Sequence, residues 1–220
     1  MHYEKFYEHK AEGYFLHSRY ELLPFIPEGI KKALDVGCGT GSFGALLKHI
    51  YNCEVWGIEP NKQAAEQARK QLDKAITGLF NVETPDLIDQ KFDAIFFNDV
   101  LEHLSVPEEA LSACRELLNE NGYIIASIPN IRWYPVILSL LRYKDFKYEQ
   151  AGVMDKTHLR FFTLKSMIRI FESSGYRVVK HAGINKNTNF KFFNILNWLL
   201  FNSQEDMKYP QFVIVASKNF

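Results

Sequence analysis

The stretch KALDVGCGTGSFGALLKHI, residues 32–50, constrains this chain more than any other. A short apolar run meets a cluster of glycines, and apolar residues at helical spacing follow. Strand, tight turn and helix in that order open a strand–helix–strand unit, and the pattern repeats. CEVWGI (53–58) reads as a strand, and NKQAAEQARKQLD, with Asn61 as its N-cap, reads as an amphipathic helix. FDAIFFN (92–98) reads as a buried strand. Ser105 and Glu108 have the spacing of a capping box ahead of EEALSACRELL, a helix expected to stop at Asn121-Gly122, and GYIIASI (122–128) is the next strand. Continuous apolar strands alternating with helices imply a doubly wound, mostly parallel sheet covered on both faces.

After residue 130 the alternation breaks. WYPVILSLLRYKDFKYEQAGVMDKTHLRFF is an insertion, followed by a helix expected from about Leu164 to Gly175 with Thr163 as its N-cap. YRVVKHAGI (176–184) and QFVIVASK (211–218) read as two closing strands, separated by a second apolar segment, FKFFNILNWLLF (190–201). Its polar members Lys191, Asn194 and Asn197 recur every third position, and nearly all the rest favours burial. At this length it falls short of the roughly 20 residues that cross a bilayer. Three roles stay open: a lid on an acceptor pocket, a contact between two copies of the chain, or a rest in a membrane interface with Trp198 as anchor.

A chain of 220 residues with 47% hydrophobic content is long enough for one α/β domain with a sizeable core. We expect a single domain over 1–220, with helical cap elements at about 1–28, 131–162 and 185–209. Lys plus Arg and Asp plus Glu both count 26, and no basic run is available to track a phosphate backbone, so nucleic acid is not expected as a partner. Cys38, Cys53 and Cys114 form no C-x-x-C pair, which points to neither a disulfide framework nor a zinc cluster and suits a reducing, cytoplasmic setting. The opening MHYEKFYEHKAEG is polar where a signal peptide needs an apolar core.

Gly39, Gly41 and Gly44 have the spacing G-x-G-x-x-G, which often marks a dinucleotide turn. Asp35, two residues before Gly37, argues against that ligand because its carboxylate would repel a pyrophosphate. The same carboxylate favours S-adenosylmethionine, which has no phosphate and carries a sulfonium and an ammonium group. Glu59, at the end of the second strand, is placed to accept hydrogen bonds from ribose hydroxyls.

LDVGCGTG, WGIEPN, FDAIFFNDVLEHL and LLNENGYIIASIPN, taken in this order, resemble four successive motifs of class I S-adenosylmethionine-dependent methyltransferases, over roughly residues 30–130. The resemblance implies a seven-stranded Rossmann-like methyltransferase fold. It places Asp35, Gly37, Cys38, Gly39 and Gly41 along the methionine portion of the cofactor, Glu59 on the ribose, and Asn98 and Asp99 between cofactor and acceptor. Many relatives carry a Gly-Asp at the end of the third strand to bind the adenine amino group. This chain has Gly78-Leu79, leaving Asn81, Glu83 or backbone groups for that contact. The N-terminal Tyr7, Tyr14 and Arg19 either fold over the cofactor, as in relatives, or pack a helix.

DKTHLRFFT (155–163) resembles a string in bacterial methyltransferases that act beside glycosyltransferases. On that ground the acceptor is expected to be a hydroxyl, less readily an amine, of a sugar or other small metabolite, free or lipid-linked. His158 is the candidate general base and His103 the competing one, since imidazole titrates near neutral pH. The plainer reading of the loop is an anchor between Arg160 and Asp155. No metal is expected, because no second histidine follows Glu102 and His103 at ligand spacing. Two other classes stay open: a non-catalytic subunit that keeps the fold, and a nicotinamide-dependent oxidoreductase.

Overall fold

Along Lys32–Val36 and Phe92–Asn98 the side chains alternate between two buried layers. Leu34, Val36, Ile95 and Phe97 join Trp56 and Ile58 on one side, while Ala33, Ala94 and Phe96 join Val55 and Phe43 on the other. A period of two along strands buried on both faces is what a sheet covered twice requires. The computed structural model describes residues 18–81, 83–186 and 191–219. Its strands are β1 (Lys32–Val36), β2 (Glu54–Glu59), β3 (Lys74–Thr77), β4 (Phe92–Asn98), β5 (Leu118–Pro129), β6 (Tyr176–Ile184) and β7 (Gln211–Lys218), in the order β3-β2-β1-β4-β5-β7-β6. The first five run parallel, and β7 lies antiparallel between β5 and β6.

The helices are α1 (Ser42–Tyr51), α2 (Lys62–Ala68), α3 (Pro107–Leu117), α4 (Tyr134–Tyr143), α5 (Leu164–Ser173) and α6 (Lys191–Leu199). Asn61 caps α2 by accepting the Ala64 amide, and Thr163 caps α5 in a reciprocal box with Ser166. Two expectations fail at α3. The helix starts on Pro107 with Val106 in the capping position and no side-chain cap, while the Ser105 carbonyl accepts the Arg160 guanidinium. A proline pre-set to helical φ replaces the box. Nor does Asn121-Gly122 stop the helix, because α3 ends at Leu117 and both residues lie inside β5. A Cβ on Gly122 would come within 3.1 Å of the Phe92 and Asn119 carbonyl oxygens, so this glycine permits a close approach of backbones.

The inserted segments are tied to the sheet's edge and to each other. Leu159 and Arg160 both donate their amides to the Glu102 carbonyl, and Asn130 bridges to Phe162. The Arg132 guanidinium meets Asp206 at 2.7 Å, and the Asn130 side-chain amide donates to the Asp206 and Tyr209 carbonyls. The anchor expected between Arg160 and Asp155 does not form. Asp155 instead accepts the Thr157 amide and hydroxyl.

The expectation for α6 fails in part, since Phe193 is buried but the polar residue Asn197 is buried with it. Asn197 is fully buried, accepting the Gln204 amide at 2.9 Å, while Ile195, Trp198 and Leu199 are exposed. Tyr134 of α4 packs on Phe193 of α6, and Leu141 and Tyr143 at the far end of α4 are exposed as well. Among the described residues no helix is long and apolar enough to cross a membrane. Tyr7 and Tyr14 lie outside the described residues.

Candidate active site

Parallel pairing brings the ends of β1, β2 and β4 to one edge, and each is followed by a residue that turns the chain away. After β1 the turn is built from Gly37, Gly39 and Gly41, all with positive φ, where an L side chain would be strained. Gly41 also leads into α1, and a Cβ there would press on the Ala68 backbone at 3.1 Å. Gly44, the last glycine of the apparent dinucleotide spacing, serves packing: a Cβ would lie 2.5 Å from Leu72 and 3.0 Å from Val55.

Beyond this edge lies a cavity of about 940 Å³. Of the residues assigned to the cofactor from sequence, Asp35, Gly37, Cys38, Gly39, Glu59, Asn98 and Asp99 all line it; Gly41 does not, because it sits behind the turn against α2. His103 and His158, the two candidate bases, also line it. So do Gly78, Leu79 and Asn81 at the end of β3, whereas Glu83 does not, and the Asn81 side-chain oxygen Oδ1 already accepts the Glu83 backbone amide. None of the described residues of α6 lines the cavity.

The Glu59 carboxylate accepts the Gly39 amide at 2.9 Å through one oxygen and the Asn61 amide at 2.8 Å through the other. Burial raises its pKa, and the two amides oppose that rise. Each oxygen keeps a further lone pair, as a diol ligand needs. Asp35 is 2% exposed, and its Oδ1 has no hydrogen-bond partner among the described residues. Burial, with the Glu59 charge added, pushes the Asp35 pKa up to about 8, and Arg19 offsets part of that. Cys38 is a buried thiol whose pKa burial raises further, which makes it a packed side chain rather than a nucleophile.

At the end of β4, Asp99 takes a positive φ and is held by Arg19 at 3.0 Å and by the Gln211 amide at 2.5 Å. Arg19 also donates to Ser127. Gln211 carried no sequence signal, since it is an ordinary first residue of a strand. It reaches the site because β7 starts where β5 ends.

The far wall is built from two segments distant in the chain. Glu102 and His103 sit on a short 3-10 turn after β4, and His158 comes from the insertion. All three are buried. The rings of His103 and His158 meet edge to face with centroids 4.8 Å apart, and His158 Nε2 lies 3.9 Å from Glu102 Oε1. Each imidazole Nδ1–H donates to a backbone carbonyl at 3.1 Å, His103 to Thr157 and His158 to Val153. Neither carboxylate oxygen of Glu102 has a hydrogen-bond partner among the described residues. Burial first, and then the nearby Asp99 charge, raise the Glu102 pKa well above the carboxylate range.

Buried polar atoms need partners, yet those of Asp35, Asn98, Glu102 and Trp133 converge on this cavity with none among the described residues. A polar, cationic ligand satisfies them. A pyrophosphate would instead meet the carboxylates of Asp35 and Glu59. The residues present therefore fit S-adenosylmethionine at the β1–β2 end.

The family described as "Methyltransferase domain" matches residues 7–181. The ubiquinone biosynthesis O-methyltransferase of Vibrio atlanticus is 23% identical over 163 residues, 71% of this chain and 68% of that protein. The one of Nitrobacter winogradskyi is 26% identical over 162 residues, of which this chain covers 59% of the relative's length. Among solved structures, a SAM-dependent methyltransferase from Archaeoglobus fulgidus shares the fold with a TM-score of 0.67 at 22% identity, over 98% of this chain and 97% of that one.

Proposed function

Because this chain belongs to the S-adenosylmethionine-dependent methyltransferases, we propose that it methylates a hydroxyl group on a small metabolite or sugar, free or lipid-linked. The observation that carries this reading is the sharing of one cavity by the Asp35–Glu59 end and the Glu102–His103–His158 cluster. Bound at the first end, S-adenosylmethionine supplies a methyl group on a positively charged sulfur. Asp35 faces that charge, and Glu59 takes the ribose while holding the glycine turn. Asn98 and Asp99 stand between the two ends, with Asp99 fixed by Arg19 and Gln211.

An acceptor hydroxyl seated against Glu102, His103 and His158 loses its proton to that cluster as its oxygen attacks in line. Alignment of the two reactants in such a site provides on the order of 7 to 11 kcal/mol of the acceleration. The names of the curated relatives support oxygen as the atom methylated. Leu79, Phe80, Leu104, Val106 and Trp133 on the cavity wall suit an acceptor with an apolar or ring-shaped body. The test is transfer of labelled methyl from S-adenosylmethionine to a panel of phenols, sugars and amines. Labelling of amines alone would overturn the reading.

For a lipid-linked acceptor the protein needs a membrane surface. Trp198, Leu199, Phe201, Leu141, Tyr143 and Tyr148 are exposed, and Arg142, Lys144 and Lys147 accompany them, a combination that suits the interface of an anionic bilayer. Flotation with vesicles containing anionic lipid should carry the protein up, and Trp198→Ser with Phe201→Ser should reduce it several-fold. A stable dimer in solution with no flotation would replace the membrane by a second copy of the chain.

A further inference from the structure

Acids dominate the charge on the cavity wall. Asp35, Glu59, Asp99, Glu102, Glu109 and Asp155 line it, and among the described residues Arg19 is the only lysine or arginine that does. We propose that this wall sorts acceptors by charge: the part of the acceptor that enters the cavity is neutral or cationic, and phosphate esters and carboxylates are turned away. The inference deepens the proposed O-methylation and rests on it for the acceptor's seat.

The two ends of the cavity differ in what offsets the acids. At the β1–β2 end, S-adenosylmethionine brings positive charges on sulfur and on its amino group against one carboxylate, so Asp35 and Glu59 meet a net cation. At the other end Arg19 is committed to Asp99 at 3.0 Å and also donates to Ser127. Arg132 is paired with Asp206, the Arg160 guanidinium is turned onto the Ser105 carbonyl, and neither arginine lines the cavity. Glu102 is 1% exposed, and neither of its oxygens has a hydrogen-bond partner among the described residues. After burial, the charge of Asp99 is the largest influence raising its pKa; Asp155 adds to it, and Arg19 opposes with less weight than Asp99. An anion seated beside Glu102 would give up its hydration and meet charge of its own sign, with no uncommitted arginine or lysine on the described wall to pair with.

The remaining polar groups suit an uncharged acceptor. Both polar side-chain atoms of Asn98 and the indole N–H of Trp133 are buried without hydrogen-bond partners among the described residues, and both residues line the same cavity. An amide and an indole N–H recognise hydroxyl, ether and carbonyl oxygens without adding charge. The strand order sets Asn98 at the end of β4 and Trp133 just past β5, on the side of β1 away from Glu59. The acids and the neutral groups therefore meet at the acceptor end.

Two measurements on the full chain test this, both at about pH 8, where an unperturbed imidazole is neutral. In the first, transfer of labelled methyl is compared within hydroxyl pairs that differ by one anionic group: glucose against its phosphate ester, and hydroxybenzyl alcohol against hydroxybenzoate. The uncharged member should have the higher kcat/KM by roughly 10-fold or more. Glu109→Gln, which neutralises an exposed acid of the wall, should narrow the gap. The second measurement needs no acceptor. The Trp133 ring is half-buried on the wall, and its fluorescence in a Trp198→Phe background, isolated by subtracting the signal of the same protein with Trp133→Phe, reads the sign of the local potential. Caesium should quench it more than iodide. Stronger quenching by iodide overturns the inference. So does an anionic hydroxyl compound methylated as fast as its neutral partner, which would leave O-methylation standing. Labelling of amines alone, with caesium still the stronger quencher, would sink the proposed O-methylation and leave the charge selection in place.

Discussion

Glu59 and Gly39 are joined by a 2.9 Å hydrogen bond from the amide of the glycine turn to the carboxylate that ends β2. The other oxygen holds Asn61 at the start of α2. One side chain thus fixes the loops after two adjacent strands and faces the ligand between them.

Glu59→Ala should lower S-adenosylmethionine affinity by about 1.5 to 3 kcal/mol, the scale of charged hydrogen bonds, and should lower the melting temperature of the ligand-free protein too. Glu59→Gln should also lose affinity, since its NH₂ group would face one of the two backbone donors. Calorimetric titration with the cofactor checks both, and wild-type affinity in a folded variant would contradict the assignment.

The pKa of Asp35, raised to about 8 by burial and by Glu59, sets a sign for pH dependence. Its unfolded value is about 3.9. The ligand-free folded chain therefore holds a proton that the unfolded chain releases, and stability falls as pH rises from about 4 to 8. Cofactor affinity should run the other way between pH 6 and 8.5, because the cationic ligand favours the ionised carboxylate. Asp35→Asn should flatten both profiles. Melting curves and titrations across that range decide it; an affinity that drops with rising pH would refute the role.

Gly37 has φ +74°, and a Cβ there would lie 2.6 Å from Val100 Cγ2. Gly37→Ala should destabilise by about 1 to 3 kcal/mol through backbone strain, with the clash added. Combining it with Val100→Ala should recover only the steric part, as read by urea unfolding. Complete recovery would mean that the backbone conformation there costs nothing.

His158→Ala should slow single-turnover methyl transfer by roughly 10²- to 10⁴-fold with cofactor affinity within a few-fold, because Asp35 and Glu59 are untouched. A near wild-type rate would remove His158 from the acceptor end.

The sheet and its cofactor edge were legible because their signals are local. Apolar runs located β1, β2 and β4, the first of them ending on glycines, and an acid two residues before Gly37 spoke against a pyrophosphate. β3 escaped periodicity, since only Ala75 of its four residues is buried. The meeting of His158 with Glu102 depends on how an insertion packs on a distant turn, and no spacing along the chain records that. The α6 pattern misled for a related reason: Asn197 turns inward to accept the Gln204 amide, while Ile195, Trp198 and Leu199 face out.

The position of β7 between β5 and β6 has a consequence for synthesis. When residues up to 184 have left the ribosome, β6 still has no neighbour to pair with, and Asp99 still lacks Gln211. The parallel half of the molecule, from β3 to β5, can assemble early, whereas the acceptor side waits for the strand made last. A nascent chain arrested before residue 211 would expose the edges of β5 and β6 together, the stage at which this protein would most need a chaperone.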